Sequence, residues 1–222
     1  MPGRFITFEG GEGTGKSTHA AMLAARLKLF GIAVQLTREP GGSTGAEIMR
    51  YILLSGVARP LGPNVEALLF AAARDDHLTT LIRPALGKGA WVVCDRFADS
   101  TRIYQGVVGR VDARAIRAME RIVVGDTRPD LTLILDVPAK DGMRRAAARR
   151  GLAVADRFEA EALAFHEKLR DGFLTLAANE PDRCVLIDAT MPKEQVAEQV
   201  WRVVVKKLDP ATAPIQFEDA AI

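Results

Sequence analysis

Most of the strand-forming stretches in this chain are almost continuously apolar or β-branched. Five such stretches occur, at Phe5–Phe8, Val34–Thr37, Trp91–Cys94, Leu131–Leu135 and Cys184–Ile187. Strands covered on both faces of a parallel sheet have this composition, whereas half-exposed strands alternate apolar with polar residues. The pattern therefore predicts five strands of a buried, parallel sheet.

Helical periodicity occupies the segments between these strands. Met22, Leu23 and Leu27 recur at helical spacing, for example, and Gly31 follows as a stop signal. The predicted helices are Ser17–Phe30, Val65–Leu86, Ala113–Val124, Ala160–Ala178 and Lys193–Leu208. The alternation of strands and helices predicts an α/β fold of three layers, with helices on both faces of the sheet and right-handed crossovers.

Length and charge narrow the possible functions. The 222 residues fit one domain, which we expect to span residues 1–208, followed by a flexible tail at Asp209–Ile222. The 30 Lys and Arg nearly balance the 28 Asp and Glu, which argues against a nucleic-acid polymer or a membrane surface as partner. The chain has neither a signal-peptide core nor an apolar run of about 18 residues, so we expect a cytoplasmic protein.

A glycine-rich segment lies between the first predicted strand and the first predicted helix. It reads GGEGTGKST and matches the phosphate-loop pattern G-x-x-x-x-G-K-[ST]. Glycines let backbone N–H groups point at a phosphate, and the helix start adds the positive end of its dipole. We expect Lys16 to reach the β- and γ-phosphates and Ser17 to ligate Mg²⁺. The predicted nucleoside triphosphate site includes Gly10, Gly11, Glu12, Gly13, Thr14, Gly15, Lys16, Ser17 and Thr18.

Several classes of protein share this loop. A GTPase switch needs D-x-x-G and N-K-x-D motifs, and neither string occurs in the chain. A motor ATPase typically has an apolar strand that ends in Asp-Glu, in which the Glu polarises the attacking water. In this chain the third predicted strand is instead followed by Asp95 and Arg96. Asp95 can help to hold Mg²⁺, and Arg96 is suited to clamping an anion. The pair favours phosphoryl transfer to a second phosphorylated ligand over hydrolysis.

Three further segments look suited to that second ligand. Arg38 follows the second strand, at the sheet edge where ligands bind in open α/β folds. Phe70 and Arg74 are four residues apart on one predicted helix, so a ring and a guanidinium can address one ligand together. The segment after Arg96 adds hydroxyl, phenol and amide groups at Ser100, Thr101, Tyr104 and Gln105.

Six ordered motifs together resemble the bacterial thymidylate kinases. They are FEGGEGTGKST, TREPGG, LLFAAARDDH, DRFADSTRIYQG, DRFE and IDATMP, and they span Phe5 to about Leu208. The resemblance implies the fold of a nucleoside monophosphate kinase with a five-stranded parallel sheet and a short basic lid. It also implies transfer of the γ-phosphoryl of ATP to dTMP, a requirement for Mg²⁺, and a homodimer.

The resemblance also implies roles for the acceptor residues. Glu12 would approach the sugar 3′-OH, and Arg38 and Arg96 would grip the acceptor phosphate. Arg74 would hydrogen-bond the thymine edge, and Tyr104 would pack where a ribose 2′-OH would project. Phe70 would stack on the base, with Ser100, Thr101 and Gln105 lining the remainder of the dTMP site. Ala73 stands where related chains commonly have an acid, which leaves the group that orients Arg74 open.

On the donor side, the resemblance places a basic lid at about residues 140–158. Some thymidylate kinases carry a catalytic arginine inside the phosphate loop, but Gly13 stands there in this chain. We therefore expect Arg149 to neutralise the γ-phosphate and Arg145 to lie near the adenine. The loop expected to help hold ATP comprises Asp188, Ala189, Thr190 and Pro192. The predicted catalytic set is Lys16, Arg96, Arg149, Glu12 and Asp95.

Two alternatives remain open to the sequence. Another nucleoside or nucleotide kinase of the same fold would share the phosphate loop and the arginines. A phosphate-loop ATPase acting as a regulatory binding module would hydrolyse ATP without any acceptor. The three histidines, including His77, are scattered without metal-ligand spacing, and we assign them no catalytic role.

Overall fold

The computed structural model describes residues 3–210. Its centre is a parallel sheet of five strands: β1 (Phe5–Glu9), β2 (Val34–Arg38), β3 (Trp91–Asp95), β4 (Leu131–Asp136) and β5 (Cys184–Asp188). The strands lie in the order β2-β3-β1-β4-β5, so β1 is central and pairs with β3 and β4. The carboxyl ends meet at one edge of the sheet, since Arg38 pairs with Asp95 and Asp136 with Asp188.

Nine α-helices connect or flank the strands in the described range. They are α1 (Lys16–Leu29), α2 (Thr44–Leu54), α3 (Gly62–His77), α4 (Arg83–Gly87), α5 (Ala98–Thr101), α6 (Ala113–Val123), α7 (Ala139–Arg150), α8 (Leu163–Asn179) and α9 (Lys193–Leu208). Two π-helical segments, Leu78–Ile82 and Arg102–Val108, continue α3 and α5.

Apolar clusters cover both faces of the sheet. On one face, Leu27 of α1 and Val204 of α9 are fully buried in the same cluster as Leu133. In a second cluster, Phe5 of β1 and Val92 of β3 pack against Ile82, at the end of the π-helical segment between α3 and α4. A third packs α8 and the π-helical segment after α5 against β4. The predicted α/β fold of three layers with a five-stranded parallel sheet is therefore confirmed.

Several predicted boundaries differ from the observed ones. The predicted helices include neither α2 nor α7. The single helix predicted at Val65–Leu86 is interrupted by a π-helical turn, and the helix predicted from Ala160 begins only at Leu163. Most of the tail predicted at residues 209–222 lies outside the described residues. No helix within residues 3–210 combines the length and apolar character needed to cross a membrane.

Candidate active site

The phosphate loop joins the end of β1 to α1. Gly13 and Gly15 adopt positive φ angles of 68° and 92°, a region that disfavours side-chain-bearing residues, so the loop needs glycine at these positions. The hydroxyl of Thr14 donates to the Gly11 carbonyl at 3.1 Å, and Lys16 Nζ donates to the same carbonyl at 2.6 Å. The lysine amine therefore lies across the loop at the start of a helix, where an anion would bind.

The absence of a side chain at Gly13 has a steric cause. A Cβ atom there would lie 1.9 Å from the carbonyl oxygen of Gly142, in the first turn of α7. In the other direction, a Cβ atom on Gly142 would lie 2.4 Å from the carbonyl oxygen of Glu12. The packing of α7 on the phosphate loop therefore excludes an arginine from the loop at this position.

Ser17 and Asp95 form a pair of oxygen groups beside the loop. The Ser17 hydroxyl donates to Asp95 Oδ2. The other carboxylate oxygen, Oδ1, is buried and has no hydrogen-bond partner among the described residues. A hard cation such as Mg²⁺ takes hydroxyl and carboxylate oxygens, so this pair fits the ion. No three His, Cys, Asp or Glu side chains cluster as metal ligands within residues 3–210.

Glu12 and Arg96 face each other across the cleft. Arg96 Nη2 donates to Glu12 Oε1 at 2.5 Å, and the Tyr104 hydroxyl donates to the same oxygen at 2.9 Å. Arg96 Nη1 donates to the Gly10 carbonyl and to Ser100 Oγ, and the guanidinium carbon lies 5.1 Å from the centre of the Tyr104 ring. Arg96 is thus held on several sides at the end of β3.

Burial and charge shift the ionisation of two of these groups. Burial acts to raise the pKa of Glu12, but the charges of Arg96 and Lys16 and the Tyr104 hydrogen bond lower it to about 2. Burial, and then the charge of Arg96, lower the pKa of Lys16 to about 8. Glu12 is consequently a permanent anion at neutral pH, whereas Lys16 is close to its titration range.

Phe70 and Arg74, one turn apart on α3, line a recess of the cleft that also holds Glu12 and Arg96. Arg74 is 4% exposed and donates from Nη2 to the Phe97 carbonyl at 3.2 Å and to Thr101 Oγ1 at 3.0 Å. The Phe70 ring lies 6.1 Å from the ring of Phe158, between centres. The acid that holds Arg74 is Glu39, which follows β2, and the Arg74 Nε to Glu39 Oε2 distance is 2.8 Å.

Arg38 and Arg50 line the rim of the cleft. Arg38 donates to Glu47 Oε1 at 2.9 Å and is about half exposed, so its guanidinium is held near α2. Arg50 donates to the Pro40 carbonyl at 2.6 Å. Burial, and then the charge of Arg38, lower the pKa of Arg50. The two arginines are therefore neighbouring cations at the rim of the cleft.

The arginines of the predicted lid bind in two different regions of the structure. Arg149, near the end of α7, donates to Glu159 Oε1 at 3.0 Å and is 63% exposed at the mouth of the cleft. Arg150 binds the other oxygen of the same carboxylate at 3.0 Å. Arg145 instead points away from the cleft and donates to the carbonyls of Ala189 and Thr190 at 2.8 and 3.3 Å.

The structure brings most of the sequence-predicted residues to one cleft. The cleft is lined by Glu12, Gly13, Gly15, Lys16, Ser17, Arg38, Phe70, Arg74, Asp95, Arg96, Ser100, Thr101, Tyr104, Gln105 and Arg149. The other predicted residues do not line it: Gly10, Gly11, Thr14, Thr18, Arg145, Asp188, Ala189, Thr190 and Pro192. Asp188 ends β5, and Ala189, Thr190 and Pro192 follow it. Arg145 of α7 reaches this segment through the carbonyls of Ala189 and Thr190.

Sequence reasoning missed other residues at this site. Glu39, Arg50, Phe158 and Glu159 also line the cleft. Glu9, the last residue of β1, is fully buried and accepts hydrogen bonds from the Phe97 N–H and the Ser100 hydroxyl at 2.8 and 2.6 Å. Burial, and then the charge of Asp99, raise the pKa of Glu9 to about 7. The one sequence signal for Glu9 was its position directly before the phosphate loop.

A phosphate loop at the centre of a parallel sheet, next to an arginine-lined cleft with an aromatic recess, defines a phosphate-loop nucleotide kinase. A family model described as thymidylate kinase matches residues 8–200. The thymidylate kinase of Bradyrhizobium diazoefficiens is 58% identical over 213 residues, covering 96% of this chain and 93% of the relative. That of Nitrobacter winogradskyi is 60% identical over 199 residues, covering 90% and 86%.

A solved structure agrees with these sequence matches. The crystal structure of thymidylate kinase from Ehrlichia chaffeensis superposes with a TM-score of 0.73 at 34% identity, and the match covers 92% of this chain and 99% of that one. The chain therefore belongs to the thymidylate kinase family, and the resemblance drawn from its six motifs is confirmed.

Proposed function

We propose that this protein transfers the γ-phosphoryl group of ATP to dTMP, giving dTDP and ADP. The observation that carries the proposal is the single cleft in which Lys16, Arg96 and Arg149 lie beside the Phe70–Arg74 recess. Three cations in one cleft suit two phosphate groups, and an aromatic ring beside a buried guanidinium suits a base. Family membership and the names of the relatives support the same assignment.

The acceptor would bind with its base in the recess and its phosphate towards the phosphate loop. Phe70 would stack on the thymine ring, and Arg74 would donate to a carbonyl oxygen of the base. Arg38 and Arg96 would hold the acceptor phosphate, Arg96 from the end of β3 and Arg38 from the end of β2. Glu12, ionised because its pKa is about 2, would accept a hydrogen bond from the sugar 3′-OH.

The donor would bind along the phosphate loop. Residues 10–18 would surround its phosphates, and Lys16 would reach the β- and γ-oxygens. The segment Asp188–Pro192, to which Arg145 is already tied, would help to hold the adenine. Arg149 lies at the mouth of the cleft and would neutralise charge on the γ-phosphoryl group as it moves.

The chemical step asks little covalent work of the protein. An oxygen of the dTMP phosphate attacks the γ-phosphorus, the bond from that phosphorus to the β-bridging oxygen breaks, and ADP leaves with the electron pair. A phosphate monoester is mostly a dianion at neutral pH, since its second pKa is about 6, so no side chain needs to remove a proton. The protein positions the two phosphates and stabilises the spreading negative charge.

We propose that Mg²⁺ accompanies ATP. Ser17 and the unpartnered Asp95 Oδ1 would hold the ion, directly or through water. When bound, it would supply positive charge that neutralises negative charge on the donor phosphates.

Two broader features belong to the same proposal. We propose that the protein acts as a homodimer, as the family resemblance implies. We further propose that it acts in the cytoplasm, on free ATP and dTMP.

The deciding experiment measures ADP formation with ATP, Mg²⁺ and each of dTMP, dUMP, dCMP and GMP. We expect dTMP to give the highest kcat/KM. A clear preference for dCMP or GMP would overturn the thymidylate assignment and leave a nucleotide kinase. ADP formation that is independent of any acceptor would instead indicate an ATPase.

A further inference from the structure

Arg74 is held by a buried chain of polar side chains that extends away from the cleft. Arg74 Nε donates to Glu39 Oε2 at 2.8 Å, and His77 Nδ1 lies 3.1 Å from Glu39 Oε1. His77 Nε2 lies 2.7 Å from Thr37 Oγ1. Arg74, Glu39 and His77 are all at least nine-tenths buried, so water does not compete for these contacts.

The chemistry of the chain fixes its proton arrangement. An ionised Glu39 can only accept hydrogen bonds, so His77 Nδ1 carries the proton that lies between them. The carboxylate then has one oxygen on the arginine and the other on the histidine, and it cannot turn without losing one of the two contacts. The backbone of Gly42 packs closely against the other edge of the imidazole, because a Cβ atom at Gly42 would lie only 2.5 Å from His77 Nε2.

These contacts determine which part of Arg74 is free for a ligand. Nε is used by Glu39, and Nη2 is used by the Phe97 carbonyl and Thr101. Among the described residues, Nη1 has no hydrogen-bond partner. A guanidinium fixed in this way presents two N–H donors and no acceptor, which suits a 4-oxo base and opposes a 4-amino base.

We propose that Glu39 and His77 are positioning residues that aim Arg74 Nη1 at the acceptor base and thereby set the preference for a 4-oxo over a 4-amino pyrimidine. The inference rests on the proposed function. It adds that the base preference depends on residues that do not touch the base. The buried Glu39 and His77 hold Arg74 in one orientation, and the arginine alone would not give the same preference. A looser Arg74 would rotate to relieve its conflict with a 4-amino group.

Two substitutions at His77 separate positioning from packing. An Asn amide nitrogen falls near the position of Nδ1, so His77→Asn keeps the contact with Glu39 and loses the one with Thr37. A Gln side chain reaches the position of Nε2, so His77→Gln keeps Thr37 and loses Glu39. His77→Asn and His77→Gln are thus a matched pair of substitutions at one buried position, each of which keeps one of the two contacts.

Glu39→Gln removes the charge with little change in shape. Its amide oxygen still accepts from Arg74, and its NH₂ group can donate to Nδ1 once His77 carries its proton on Nε2. The hydrogen bonds to Arg74 and Thr37 therefore survive, and the anionic partner of Arg74 is lost. This substitution isolates the charge that holds the guanidinium.

The experiment compares kcat and KM for dTMP and dCMP in the full-length wild type and in these variants, with the thermal unfolding midpoint of each. For Glu39→Gln we expect the KM for dTMP to rise about 10-fold or more with kcat nearly unchanged, and the dTMP/dCMP ratio of kcat/KM to fall similarly. His77→Gln should show the same pattern at a few-fold, and His77→Asn should remain close to wild type in this ratio.

Loss of stability with an unchanged dTMP KM and an unchanged dTMP/dCMP ratio would overturn the proposal, as would equal behaviour of the two His77 variants in that ratio. If the buried substitutions prevent folding, the half-buried Thr37→Val decides. We expect it to raise the KM for dTMP about two-fold, and an unchanged KM would overturn the proposal. A wild type that forms no dTMP-dependent ADP would refute the proposed function instead, and dTMP affinity by calorimetry would then test the positioning alone.

Discussion

Gly13 of the phosphate loop and Gly142 of α7 lie so close that neither position has room for a Cβ atom. The contact joins the loop that would hold the donor phosphates to the helix that carries Arg145 and Arg149. No side chain fits inside the loop at Gly13, so an arginine cannot come from this position, and we propose that Arg149 supplies the charge instead.

The first prediction concerns this contact. Gly142→Ala places a methyl group 2.4 Å from the Glu12 carbonyl, so the loop or the helix must shift. We expect kcat to fall at least 10-fold, because small misplacements at a phosphate site are costly. Steady-state kinetics of ADP formation measure the effect. Gly87→Ala is the control, since a Cβ atom at that position contacts nothing within 4 Å. Wild-type kinetics in Gly142→Ala would contradict the tight contact.

The second prediction concerns the lid charge. We expect Arg149→Ala to lower kcat by a factor of about 10² to 10³, as for other fixed groups that stabilise transition-state charge, while the KM for dTMP changes little. Arg144→Ala is the matched control: the same charge leaves the same helix, but Arg144 pairs with Asp141 and does not line the cleft. Equal losses in the two variants, or a parallel rise in the dTMP KM, would count against this role for Arg149.

The third prediction concerns the ionisation of Lys16. Its pKa in the free protein is about 8, and a bound triphosphate raises it by favouring the charged form. Binding of ATP should therefore take up about half a proton at pH 8, and affinity for ATP should fall as the pH rises above 8. Calorimetry of ATP binding without acceptor, in two buffers of different ionisation enthalpy, measures the uptake. Lys16→Met should abolish it, and uptake that persists in this variant would assign the proton elsewhere.

The fourth prediction separates the ring of Tyr104 from its hydroxyl. Tyr104→Phe loses the 2.9 Å hydrogen bond to Glu12 and keeps the ring, so we expect the dTMP KM to rise about 5-fold. Discrimination between dTMP and its ribose counterpart should be retained. Tyr104→Leu should relax that discrimination, since the space beside the sugar opens. Competition between the two acceptors at equal concentration measures this directly, and relaxed discrimination in the Phe variant would show that the hydroxyl excludes ribose.

The sequence could predict the strands and the phosphate loop because their signals are local. β1, the loop and the start of α1 occupy 13 consecutive positions from Phe5 to Ser17, and steric and dipole arguments apply to that segment alone. The basic segment that α7 carries was recognisable from its arginines, among them Arg145 and Arg149, although no helix was predicted there. Its register became definite only through Glu159, which binds Arg149 and Arg150.

What the sequence could not predict depends on pairing across the fold. α2 lacks a local capping hydrogen bond at its start, and its first turn is held by Asp76 of α3, which accepts from Ser43 Oγ and the Ala46 N–H at 2.6 and 3.1 Å. The partner of Arg74 is likewise distant in the chain, because Glu39 is 35 positions away. Ala73, which seemed to leave Arg74 without an acid, is simply buried.

The strand order has a practical consequence for redesign. Because β1 is central, the segments that follow β2 and β3 lie to one side of the phosphate loop, and those that follow β4 and β5 lie to the other. Apart from Glu12 of the phosphate loop, the residues assigned to the acceptor thus come from one stretch, Arg38 to Gln105, whereas the predicted lid and adenine loop come from later in the chain. An exchange of that one stretch between relatives that keep Asp95 would be a modular route to a new acceptor, with the phosphate loop, the predicted lid and the adenine loop inherited intact.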